Sequence, residues 1–183
     1  YEDKEAADIK GEHPVIITGF GHFGSTIGRF LRANGIKTTI LDNDSDRVDL
    51  LRKMGFKVFY GDATRIDILK SAGADHAKVL IAAIDSPDIN MDLVRMTKEK
   101  FPHLKVMVRA RNRIDAYELI DAGVSSIYRE SLETSVRIGM DVLVELGFRK
   151  YSATRAGQNF IKYDEAALPA LAAHRHDQDT YIF

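Results

Sequence analysis

The chain has no cysteine among its 183 residues. Disulfide frameworks, thiolate metal sites, CxxC redox centres and cysteine nucleophiles are therefore excluded. A surplus of charge is also missing: 26 Lys and Arg stand against 27 Asp and Glu, a formal net charge of −1. Nothing in that balance favours nucleic acid or an anionic lipid surface as the main partner. Long apolar runs are lacking too. The stretch Val79 to Ile84 is about a third of the roughly 20 residues a membrane helix needs, and no signal-peptide pattern is visible. What is present is 45% apolar residues, enough for a packed core and too many for a disordered chain. The length suits one sizeable domain or a domain with an appendage. Tyr1 to Glu12 (YEDKEAADIKGE) is charged and without hydrophobic period, and reads as a linker from a longer protein.

From residue 13 onward, short apolar runs alternate with segments of helical period. Val15 to Thr18, Thr38 to Leu41, Val58 to Tyr60, Val79 to Ala83, Lys105 to Arg109 and Ser126 to Tyr128 are the strand candidates. They are β-branched or aromatic and mostly continuous, as expected for strands covered on both faces. The helical segments are Ser25 to Ala33, Ser45 to Met54, Ile66 to Ser71, Ile89 to Phe101, Ile114 to Asp121 and Leu132 to Leu146. Gly35, Gly55, Gly73, Gly123 and Gly147 follow helical stretches at the positions where a left-handed residue closes a helix. Asp44 or Ser45 and Ser131 are candidate N-caps. This alternation predicts βαβ crossovers and a parallel sheet. The expected fold is α/β, a doubly wound six-stranded parallel sheet over residues 13 to 147. Residues 148 to 183 are expected to form a helical appendage broken at Pro169, followed by a polar tail.

Between the first strand and first helix lies Gly19-Phe20-Gly21-His22-Phe23-Gly24, a GxGxxG. Gly19 would make the tight turn, Gly21 would let a pyrophosphate approach the backbone, and Gly24 would let the helix pack on the strand. The helix N-terminus then presents unpaired N–H groups and a positive dipole end to phosphates. Asp42 ends the second strand 18 positions after Gly24, close to the roughly 20 expected of a ribose-binding carboxylate. A carboxylate there repels a 2′-phosphate, which favours NAD(H) or AMP over NADP. Asn43 follows it. Asp62, Ala63 and Thr64 close the third strand at the same sheet edge. Asp62 would either accept a bond from an adenine amino group or cap the next helix. Ala82, Ala83 and Asp85 end the fourth strand, where small residues leave room for an adenosine.

A dehydrogenase would also need a proton-transfer group and a substrate domain. Nothing after Leu146 is large enough to be that domain. Of the histidines, His22 lies in the phosphate loop, His13 in the entry segment, His76 and His103 in loops at the opposite edge, and His174 and His176 in the tail. No GxSxG, HExxH or Walker lysine occurs. The reading is of a binding domain without catalytic or metal residues.

Gly19 to Gly24, Leu41-Asp42-Asn43-Asp44, Tyr60-Gly61-Asp62-Ala63-Thr64 and Val108-Arg109-Ala110-Arg111 together resemble the RCK/KTN nucleotide-binding domains, Rossmann-type regulators of potassium channels and transporters. Val58 to Arg65, Phe101-Pro102-His103-Leu104 and Arg129-Glu130 make the chain most similar to the C-terminal domain of the glutathione-gated potassium efflux systems (Kef). The resemblance implies a homodimer binding AMP or NAD(H) in the glycine-loop cleft. It implies attachment to a membrane antiporter domain on the cytoplasmic face of a bacterial inner membrane. A flavodoxin-like quinone oxidoreductase is the implied ancillary subunit. It further implies a glutathione site at the dimer interface, closing the efflux path until glutathione S-conjugates open it. Arg29 and Arg129 match the family's arginines for glutathione carboxylates, and guanidinium forks suit that chemistry. Asn112 and Asp164 occupy two further polar positions, with Asn and Asp interchanged relative to the family pattern. Phe56 or Met54 is the candidate for the bulky residue an S-substituent would displace. The alternatives are a Trk- or Ktr-type uptake regulator without glutathione binding, and a small NAD-dependent oxidoreductase.

Overall fold

In the computed structural model, residues 13–175 are described; the expected linker over 1–12 and the tail from 176 to 183 lie outside the described residues. The strands are β1 Val15–Thr18, β2 Thr38–Asp42, β3 Lys57–Tyr60, β4 Val79–Ala82, β5 Lys105–Ala110 and β6 Ile127–Arg129. The helices are α1 His22–Ala33, α2 Ser45–Lys53, α3 Ile66–Ser71, α4 Pro87–Lys100, α5 Arg113–Asp121, α6 Leu132–Glu145 and α7 Lys150–His174. The six strands form one sheet in the order β3-β2-β1-β4-β5-β6. β1 pairs in parallel with β2 and β4, β2 with β3, and β4 with β5. This is the doubly wound α/β arrangement, and it reverses direction between β1 and β4.

The apolar runs explain the centre of the sheet. Every residue of β1 and β2 is buried, and Ile16, Ile17, Ile40 and Leu80 are wholly enclosed. Each such side chain contributes about 1.5–3 kcal/mol on burial. Thr18 keeps its hydroxyl satisfied in this interior by donating to the Ile81 carbonyl at 2.9 Å. Two compact units follow one another along the chain, the first ending at Arg109 and the second beginning at Ala110.

Three local expectations are corrected. Helix α1 begins at His22 rather than Ser25, with Gly21 as its N-cap, so the second half of the glycine motif is helical. Ser131 precedes α6 in helical conformation without a side-chain capping bond. Asp44 does cap α2, accepting from the Asp46 and Arg47 amides, and Ser86 caps α4, whose first residue is Pro87. The third correction is Pro169, which lies inside α7 without ending it. Buried Leu168 and Ala172 flank the proline, so packing carries the helix across the missing N–H. Within the second unit α7 lies against α6 at Gly157: a Cβ there would stand 2.3 Å from the Met140 sulfur.

Candidate functional site: a nucleotide cleft and an arginine–carboxylate cluster

At the carboxyl ends of the first unit's strands lies a cleft of about 670 Å³. Its floor is the glycine loop. Gly19 has φ +80° and an added Cβ would fall 2.8 Å from the Ile84 Cα, so only glycine fits the turn. Gly24 is buried where a Cβ would stand 2.0 Å from the Gly19 carbonyl oxygen. Gly21 differs from both: a Cβ on it would meet nothing within 4 Å. The loop is thus packed beneath and open above Gly21, the arrangement a phosphate cradle at a helix N-terminus requires.

Ten of the twelve expected cofactor residues line this cleft: Gly19, Gly21, His22, Phe23, Asp42, Asn43, Asp62, Ala63, Thr64 and Ala83. Gly24 serves from beneath. Phe20 is a correction: its ring is buried and packs on Phe56 with centroids 5.5 Å apart, because the turn points it into the core. Only its backbone takes part, donating N–H to Asp42 at 2.9 Å.

Asp42 is 3% exposed and organises the β2 side of the cleft. One carboxylate oxygen accepts from the Phe20 amide and from the Arg47 guanidinium, each at 2.9 Å. The other accepts from the Asp44 amide at 2.9 Å. A carboxylate has about four acceptor positions, and three are taken here. Asp62 does not cap α3, whose N-cap is Arg65. It closes its own turn, accepting from the Thr64 amide at 2.9 Å and the Thr64 hydroxyl at 2.7 Å. Those two bonds, hydroxyl first, hold its carboxyl below the usual range.

Asp85, expected at this edge, also lines the cleft, whereas Arg47, Arg109, Ile84, Ser86, Ile89 and Asp92 were missed as lining residues. A signal existed for Arg109, since β5 must end at the same sheet edge as β1 and β4. Asn90 sets the β4–α4 loop by bracketing Ile84, donating to its carbonyl at 2.8 Å and accepting from its amide at 3.2 Å.

The expected glutathione residues fall in both units. In the first, Arg29 is exposed on α1. Phe56 is packed against the core cluster beneath the Arg32 guanidinium, which stands 4.4 Å above its ring. It is partly buried at the edge of the core, because the turn after α2 directs it inward; Met54 is 51% exposed. In the second unit Asn112 caps α5, accepting from the Asp115 amide at 2.9 Å. Asp164 on α7 is bonded to Arg113, and its other oxygen stands 2.5 Å from Arg129. Arg129 and Asp164 are thus partners of each other, both with side chains less than 15% exposed. Among the described residues no cluster of three His, Asp or Glu is placed to hold a metal ion. No described helix is long and apolar enough to cross a membrane.

A glycine-loop cleft at the reversal point of a doubly wound sheet, with carboxylates ending β2 and β3, defines a nucleotide-binding class of domain. Comparison with known proteins narrows it. Residues 15–130 match the TrkA-N domain family, and residues 134–183 match the potassium efflux system KefB C-terminal domain. A solved structure described as the Kef C-terminal domain of Shewanella denitrificans in AMP-bound form is 42% identical. It superposes with a TM-score of 0.80, covering 87% of this chain and 97% of that one. The TrkA-N domain of the Escherichia coli inner membrane protein ybaL is 24% identical, with a TM-score of 0.66 over 74% of this chain and 99% of that one. The GsuK channel bound to NAD is 19% identical, with a TM-score of 0.61 over 71% of this chain and 23% of that one. The last two show the shared fold. The chain belongs to the TrkA-N family and, within it, to the C-terminal regulatory domains of Kef potassium efflux systems. These domains regulate transport and are not enzymes.

Proposed function

We propose that the chain is the ligand-sensing domain of a K+/H+ antiporter, held on the cytoplasmic face of a bacterial inner membrane. AMP or NAD(H) occupies the glycine-loop cleft. The observation that carries this reading is the loop itself, closed by backbone beneath Gly19 and Gly24 and open above Gly21, with Asp42 retaining one acceptor position beside it. The AMP named for the Shewanella Kef domain supports the same assignment.

Glutathione holds the efflux path closed and its S-conjugates open it, each ligand favouring a different dimer arrangement. Arg29 and Arg129 take the glutathione carboxylates, and Asn112 and Asp164 set the polar environment. Because Asp164 already faces Arg129, a ligand carboxylate exchanges with it. A homodimer is supported by α6, which buries no residue fully. Ile138, Val142 and Leu146 stand 62%, 49% and 73% exposed at successive helical turns, an apolar stripe suited to a two-fold contact. A flavodoxin-like oxidoreductase acts as the ancillary subunit.

Calorimetric titration with AMP and then reduced glutathione tests this on the parent, Arg29→Ala and Arg129→Ala. The expected result is AMP binding by all three and saturable glutathione binding by the parent alone, with unfolding temperatures of Arg29→Ala unchanged. Absence of glutathione binding at millimolar concentration would reduce the reading to a regulator that answers to nucleotide only.

A further inference from the structure

The proposed cleft accepts either a mononucleotide or a dinucleotide in principle, and Arg109 separates the two. Resting on the nucleotide reading above, we infer that Arg109 is a specificity-determining residue that makes the cleft select AMP-type mononucleotides over NAD. The strand order places the reversal point between β1 and β4. Asp42 and Asp62 stand on the β2 and β3 side, where an adenosine lies in such sheets. A dinucleotide continues past the phosphates to the β4 and β5 side. That is where Arg109 stands, at the end of β5.

Its guanidinium is not a loose surface charge. The side chain is only 11% exposed and its Nη2 stands 3.6 Å from an Asp85 carboxylate oxygen. Nη1 donates to the Ala83 carbonyl at 3.3 Å, and the guanidinium carbon is 5.1 Å from the Phe23 ring centroid. It therefore spans from the first turn of α1 to the loop after β4. A nicotinamide ribose entering there has to displace it, forfeiting the ion pair, the carbonyl bond and the cation–π contact together.

Charge works in the same direction. AMP ends in a phosphate monoester carrying nearly two negative charges at neutral pH, whereas each phosphate of NAD lies inside a pyrophosphate bridge and carries one. A fixed guanidinium beside the terminal phosphate position favours the more highly charged group. Arg109 thus attracts the mononucleotide by charge and excludes the dinucleotide by occupying its second half-site.

The test is calorimetry of the full 183-residue chain with AMP and NAD, on the parent, Arg109→Ala and Arg109→Gln. The parent is expected to bind AMP at least about tenfold more tightly than NAD. Arg109→Ala should weaken AMP about tenfold, the scale of one charge-assisted contact, while NAD is unchanged or tighter, so that the preference collapses. Arg109→Gln keeps the aliphatic stem without the charge and carries the same expectation if the alanine variant fails to fold. Equal parent affinities, or a loss shared equally by AMP and NAD in the variants, would overturn the inference while leaving nucleotide binding intact. Failure of the folded parent to bind either nucleotide would overturn both.

Discussion

Two carboxylates, one in each compact unit, are held by arginine in different ways. Asp42 takes its partners from close by: the Asp44 amide, and Arg47 five residues along the chain. Its one distant bond comes from the Phe20 amide, 22 residues before it. Asp164 is held instead by Arg113, 51 residues away, and by Arg129 on β6. The first is largely an Asx-type turn that forms wherever β2 ends and α2 begins. The second exists only because α7 returns to the start of α5. Local chemistry builds a preorganised cleft, while long-range charge pairing ties a terminal helix to its unit.

Removing Asp164 breaks the contrast most sharply. Asp164→Ala leaves two guanidinium groups without their shared carboxylate and should cost about 3–5 kcal/mol, as for a broken buried pair. Adding Arg129→Ala should recover part of that loss in a double-mutant cycle read by urea unfolding. Independent energies that simply add would show that the ion pair contributes nothing.

Gly24→Ala tests the other unit. Its Cβ has to displace the Gly19 carbonyl, so a loss of about 3 kcal/mol is expected, with AMP binding lost as the turn shifts. Normal AMP affinity in this variant would mean that the loop tolerates the movement and is not a rigid cradle.

Asp62 gives the smallest effect. Its folded pKa is lowered from 3.8, chiefly by the Thr64 hydroxyl and amide. A depressed carboxyl contributes stability that is present above 3.8 and disappears as pH falls through the lower folded value. The destabilisation by Asp62→Asn should therefore be small at neutral pH, since the group is largely exposed, and vanish in acid. A penalty independent of pH would assign the turn to shape rather than charge.

The strands and most helices were legible because continuous β-branched runs and glycine-closed helical periods are local signals. Asp42 was legible for the same reason, as it follows the glycine motif at a spacing set by one βαβ unit. The roles of Phe20 and Phe56 were not: both are aromatic neighbours of functional motifs, and only core packing turns them inward. Pro169 carries a strong local signal for a helix end, overridden by burial on either side. Arg109 stood in the family motif, yet its contacts with Phe23, Ala83 and Asp85 come from three separate stretches of chain.

The sequence by itself determined the doubly wound order of elements, the glycine cradle and the carboxylate beside it. Each rests on backbone conformation and on spacings within one or two structural units. Tertiary structure alone decided that Arg129 faces Asp164, that α7 continues through its proline, and that Arg109 stands across the far half of the cleft. Those outcomes depend on which distant side chains share a buried space, where desolvation forces every charge to find a partner.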